Sequence, residues 1–215
     1  MKLPKGEVGW QRDTKMIEQI IRDNYATICD ELRQVPRWFT WKSDAYGTDG
    51  NCLFLTGDWT VCPCYVGNYR PENFIQDMPA EDVVRLCQLL PFRFPAITAI
   101  LKQIPEANYA AFTRLAPRSR LAPHRHDNPN SRILHMGVNV PPGQTCGLRV
   151  EGLGSYVPAY TEHVFVEYRP GCERDHIWDQ QGDIIVFDDN KLHSAWNDSD
   201  HERILFYVDF RHGLS

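Results

Sequence analysis

Eight histidines occur in this chain, and three of them, His124, His135 and His193, fall on or at the ends of segments that read as β-strands. Two imidazoles and one carboxylate on one face of a metal ion leave three coordination positions open, the arrangement used by non-haem Fe(II) oxygenases. Imidazole tolerates the redox change of the metal, and the open positions admit a chelating cosubstrate and dioxygen. Such a cosubstrate carries a far carboxylate that a cation deep in the site must hold. Arg203, ten residues after His193 on the last expected strand, is the candidate. Zinc in a non-catalytic barrel module is the competing reading: it prefers four tight ligands and would recruit His126 with His124 and His193.

These side chains sit far apart in the chain, so the elements that carry them must converge. From Thr14 to Gln34 the apolar residues Ile17, Ile20, Ile21, Ile28 and Leu32 form one helical stripe, with Asp13 or Thr14 as a cap and Pro36 as a stop. Pro79 opens a second helix to about Leu90, and a third runs from Pro95 to Gln103. Trp38 to Tyr69, rich in aromatics and turns, reads as one or two hairpins. Beyond residue 108 the chain alternates strands and turns: Tyr109 to Leu115, Arg132 to Val140, Thr145 to Val150, Ile184 to Phe187 and Arg203 to Phe210. Pro141-Pro142-Gly143 and Asp188-Asp189-Asn190 are turn chemistry. The pattern predicts a mainly β protein with N-terminal helices, an antiparallel barrel or jelly roll packed against helices, in a single domain over 1–215. Residues 1–107 would support a barrel core at 108–212.

Two blocks carry a family resemblance. The first runs from Gly182 through Phe187, Asp188, Asp189, His193, Trp196 and Asn197 to Arg203 and Asp209; the second runs from Pro123-His124-Arg125-His126-Asp127 to His135 and Pro141. They resemble the "GxxxxFDDxxxHxxWN" and "PHxD … HLGLxxP" patterns of the aspartyl/asparaginyl β-hydroxylases, Fe(II)- and 2-oxoglutarate-dependent oxygenases. The resemblance covers residues 108–212, with weaker echoes at Leu89-Leu90-Pro91-Phe92, and implies a double-stranded β-helix of the cupin-like kind. Position by position it implies His124 and His193 as iron ligands and Arg203 on the distal carboxylate of 2-oxoglutarate, with His135 and Thr113 at the other end. It implies O2 as the oxidant and hydroxylation of an unactivated carbon; desaturation or halogenation is the alternative outcome.

Two departures stand out. Family members with a full triad carry an acid two residues after the first His; here that position is His126, and Asp127 comes one later. Asp127 is the favoured third ligand if a bulge turns it inward, with His126 or water as alternatives. The family arginine two residues before the second-strand His is displaced to Arg132, and alternation along a strand turns it off the face used by His135 unless a bulge restores it. Arg149, Trp196 and Arg125 are substrate-side candidates, and residues 151–177 form an insertion that reads as an extended hairpin or lid. A free amino acid, its derivative or a short peptide is the expected substrate. Because ligand histidines must be neutral, iron affinity is expected to fall below pH ~6.5.

Composition narrows the partners. The net charge is −5 with no dense Lys/Arg block, which disfavours nucleic acid or an anionic membrane surface. No run reaches about 18 apolar residues, and Met1 to Gly9 lacks the apolar segment of a secretory signal, so a cytoplasmic location is expected. Seven cysteines, an odd number without regular spacing, suit reduced thiols; Cys62-Pro63-Cys64 is the only close pair.

Overall fold

The computed structural model describes residues 7–40, 46–47, 54–67, 78–126, 131–150, 174–178 and 180–211. The expected first helix is two, Glu7–Asp23 (α1) and Tyr25–Leu32 (α2). The break lies at Asn24, whose backbone leaves helical geometry at φ −104°, ψ 13° while its side-chain amide donates to the Ile20 carbonyl at 2.8 Å. Asparagine competes in this way with its own helix. Asp13 and Thr14, expected at a cap, instead lie inside α1. Two further helices, Ala80–Arg93 (α3) and Pro95–Leu101 (α4), match expectation, with Glu81 and Asp82 in the first turn of α3 and Pro95 opening α4. Glu31 of α2 is buried and accepts from the backbone N–H groups of Ala96 and Ile97, both at 2.8 Å, so one carboxylate satisfies the start of α4 and ties two helices together.

Among the described residues twelve strands form two antiparallel sheets. They are Phe39–Thr40 (β1), Tyr46–Gly47 (β2), Phe54–Thr56 (β3), Trp59–Val66 (β4), Ala107–Leu115 (β5), Ser119–Arg125 (β6), Ser131–Asn139 (β7), Cys146–Val150 (β8), Arg174–Ile177 (β9), Ile184–Phe187 (β10), His193–Asn197 (β11) and Arg203–Arg211 (β12). One sheet has the order β1-β4-β5-β12-β7-β10 and the other β2-β6-β11-β8-β9, with β3 also on β6. From β5 to β12 the chain alternates between the two sheets, except that β8 and β9 are neighbours in one; this is the winding of a jelly roll, the double-stranded β-helix.

Alternation along β12 separates the two cores. Ile204, Phe206, Val208 and Phe210 pack with Ile17, Ile21, Ile97 and Leu101 of the helices, whereas Leu205 and Tyr207 face the barrel interior with Tyr109, Ile133, Leu148 and Phe187. The helices therefore close the outer face of the β1-β4-β5-β12-β7-β10 sheet and leave its inner face to line a cavity. Among the described residues no single helix is long and apolar enough to cross a membrane. Of the 151–177 insertion, residues 174–177 form β9 against β8; residues 151–173, and with them the expected lid, lie outside the described residues.

Candidate metal centre

Strands β6 and β11 pair with His193 directly opposite His124, and the ladder shifts register immediately afterwards. Their ring centroids are 4.2 Å apart. Each ring is held by the backbone two residues earlier: His124 Nδ1 lies 2.8 Å from the Ala122 carbonyl and His193 Nδ1 2.8 Å from the Lys191 carbonyl. A carbonyl only accepts, so both Nδ1 atoms carry the proton and both Nε2 lone pairs are free. His126 joins them: one ligand atom from each of the three histidines fits within a mutual 4.8 Å. The donor set suits a divalent transition metal, since neutral imidazoles with a fixed tautomer are what such an ion requires.

Burial keeps these rings neutral. It pulls the pKa of His124 below the usual value, against the Ala122 carbonyl, which pulls upward. His193 lies well below, through burial first and then the neighbouring His124 and His126. His126 is lowered to about 3 by burial and His124. Proton competition for a metal therefore begins at lower pH than the ~6.5 expected from free histidines.

The turn between β10 and β11 brings a carboxylate. Asp188 Oδ1 accepts from the backbone N–H and side-chain amide of Asn190, each at 3.0 Å, and shapes the turn as expected. Asp189 differs: it is buried, lines the cavity, and its Oδ1 is 3.7 Å from His193 Nε2 and 3.9 Å from His126 Nε2. The His126 N–H donates to the Asp189 carbonyl at 3.0 Å, which fastens the end of β6 to this turn.

On the other side of the cavity stand Thr113, His135, Tyr207 and Arg203. Arg203 is 3% exposed, sits 5.0 Å over the Trp178 ring and gives one long hydrogen bond, 3.4 Å, to the Gly147 carbonyl. Burial lowers its pKa, the mark of a charge held out of water. His135 is kept well below its usual pKa by burial and then by the Arg203 charge. Arg203 Nε, His135 Nδ1 and Trp178 Nε1 are buried with no hydrogen-bond partner among the described residues. Buried polar groups of this kind are normally satisfied, so the unpartnered nitrogens of Arg203 and His135, both lining the cavity, mark a place for a polar ligand, and the guanidinium calls for one that accepts hydrogen bonds. An organic carboxylate has that chemistry.

The other expected positions separate from this cavity. Arg132 shares the outward face of β7 with Leu134 and Met136; its Nη1 is 3.3 Å from Asp188 Oδ1 and donates to the Ser131 carbonyl at 2.7 Å, so it braces the turn before His193 and does not line the cavity. Arg149 and Trp196 likewise alternate away from the cavity-lining Leu148 and Ala195. Trp196 lies against Gly147 so closely that a Cβ there would come within 2.1 Å of its ring; it is packing that only glycine opposite permits. Asp127 and the side chain of Arg125 lie outside the described residues. His126, an alternative third ligand on sequence grounds, lies beside His124 and His193, and Trp178, which the sequence does not single out, lies under the Arg203 guanidinium.

Against a hydroxylase named ornithine lipid ester-linked acyl 2-hydroxylase, from Rhizobium tropici, the chain is 28% identical over 117 residues, which is 54% of this chain and 34% of that protein. The chain thus spans about a third of the length of the curated relative it matches. Among solved structures, a Pseudomonas putida prolyl-4-hydroxylase superposes with a TM-score of 0.42 at 13% identity, over 91% of this chain and 88% of that one. A 2OG-Fe(II) oxygenase family oxidoreductase from Burkholderia pseudomallei gives 0.39 at 16% identity, over 72% and 69%. Residues 18–156 and 169–213 match the aspartyl/asparaginyl beta-hydroxylase family, and the chain, by that match over most of its length, belongs to it.

Proposed function

We propose that this chain is an Fe(II)- and 2-oxoglutarate-dependent hydroxylase acting on a small amino-acid-like substrate. The observation that carries the reading is the convergence of two free Nε2 lone pairs, on His124 and His193, in the cavity that also holds the Arg203 guanidinium, which has no carboxylate partner among the described residues. When bound, iron with 2-oxoglutarate and O2 supplies the oxidising power to replace a C–H bond by C–OH, releasing succinate and CO2.

The chain's own groups do the rest. His124 and His193 hold the metal in a fixed tautomer. Arg203 takes the far carboxylate of the cosubstrate; Thr113 and neutral His135 add hydrogen bonds without further charge. Apolar neighbours, Trp59, Leu121, Leu148 and Ala195, keep the reacting centre dry. Asp127 stays a candidate third ligand on sequence grounds alone, and Arg125 a candidate substrate contact.

A second substrate reading is an acyl chain attached to an amino acid. The apolar wall and the lipid-directed activity in the name of the Rhizobium tropici relative favour it. Both readings are tested by one screen: amino acids, short peptides and N-acyl amino acids are offered to the iron-loaded protein, and substrate-dependent succinate release is read together with a product mass one oxygen higher. Anaerobic addition of Fe(II) and 2-oxoglutarate should raise a weak visible charge-transfer band that His124→Ala or His193→Ala removes. A colourless protein that holds one zinc tightly and makes no succinate in air would overturn the reading.

A further inference from the structure

We propose that His126 is the third protein ligand of the metal, so that the site is built from three neutral imidazoles. This rests on the metal-dependent reading above. An extended chain directs side chains two apart to one side, and His126 follows His124 by two at the end of β6. In a facial triad this is the position of the carboxylate, and the chain places an imidazole there.

The geometry agrees. The His126 ring centroid lies 5.5 Å from that of His124 and 5.9 Å from that of His193, and the His126 and His193 rings are near parallel at 25°. Two nitrogens sharing one ion at bonds of about 2.1 Å are about 3 Å apart when adjacent and about 4.2 Å when opposite. The three ligand atoms lie within 4.8 Å of one another, so side-chain rotations that move each nitrogen by up to about 1 Å bring all three onto one ion. The backbone does not have to move, because the His126 N–H is already anchored on the Asp189 carbonyl at 3.0 Å.

Three neutral ligands leave both positive charges of the ion uncompensated by the protein's first contacts. The nearest carboxylate among the described residues is Asp189, 3.7 and 3.9 Å from two of the Nε2 atoms. Three coordination positions stay open, two for a chelating cosubstrate and one for dioxygen, so the arrangement is compatible with the proposed reaction.

The test uses Co(II) as the probe, on the full chain stripped of metal, with the visible absorption of the bound ion as the signal. His126→Ala should weaken Co(II) binding by more than about 100-fold, beyond what loss of a merely supporting group produces. His126→Asp, which restores a carboxylate at this position, should recover most of the affinity. Pulsed EPR on the Cu(II)-loaded protein should count three coordinated imidazoles, and two in His126→Gln, a variant that keeps side-chain bulk for folding. A loss under tenfold in His126→Ala, or a count of two imidazoles in the unsubstituted protein, overturns the proposal. If His124→Ala and His193→Ala also leave Co(II) binding intact, the metal centre itself is wrong; if they abolish it while His126→Ala does not, only the third ligand is.

Discussion

Arg203→Met is the perturbation that separates a ligand-binding arginine from a structural one. The guanidinium is 3% exposed, and its recorded hydrogen bond is the 3.4 Å contact to Gly147, with Nε left unpaired among the described residues. A buried charge without a carboxylate is a cost that the fold carries, and replacing it by an apolar chain of similar length relieves desolvation while forfeiting the contact over Trp178, worth up to about 2 kcal/mol. The two offset each other, so the apo protein should change in stability by no more than about 1 kcal/mol. Cosubstrate binding should respond very differently. Losing one side of a buried, charge-assisted pair costs about 3–5 kcal/mol, which at 1.4 kcal/mol per tenfold raises the 2-oxoglutarate Kd by roughly two to three and a half powers of ten. Calorimetric titration of the Co(II)-loaded protein without oxygen gives Kd, and urea denaturation of the apo protein gives stability. An unchanged Kd refutes the assignment, and so does a heavy loss of apo stability, which would mean that Arg203 is held for the fold.

Further perturbations probe the scaffold and the titration of the site. His124, His126 and His193 have folded pKa values below that of the unfolded chain, so the unfolded state takes up protons first as pH falls below ~6.5. The stability they contribute is complete above that value and lost below it, by up to about 1.4 kcal/mol per pH unit for each ring; apo melts from pH 7.5 to 5.5 should show the slope, and His126→Gln should flatten it. Glu31→Ala strands the Ala96 and Ile97 N–H groups and should cost about 3 kcal/mol, lowering Tm by roughly 6–12 °C in a melt. Gly147→Ala drives a methyl into the Trp196 ring and should cost about 1–3 kcal/mol by denaturation. Since Trp196 shares β11 with His193, that substitution should also weaken Co(II) binding, whereas Glu31→Ala should not.

Much of this molecule was legible from residue order because strand alternation is a local rule. It separated Arg203 from Ile204 and turned Arg132 away from His135, and the structure has both. The turn residues and prolines likewise located β5, β7, β8, β10 and β12. What stayed hidden depends on neighbours distant in sequence. Strand β6 reads as loop because of Pro123, which sits where the β6–β11 register shifts between His193 and Ala195, a place where a missing N–H is tolerated. Asp189 is indistinguishable from Asp188 by type, yet one shapes the turn and the other lines the cavity, a difference set by Arg132 drawing Asp188 aside. The break at Asn24 left no mark in the apolar stripe, since Ile21 and Ile28 are buried on both sides of it.

The carbonyls of Ala122 and Lys191 belong to the same short segments as the rings they grip, so proton placement on both imidazoles is decided before any ion arrives. Metal uptake then needs neither a tautomer swap nor a reorganised backbone. Loading should be governed by how quickly the ion sheds its own water and diffuses in, and emptying followed by reloading should return the site unchanged through repeated cycles.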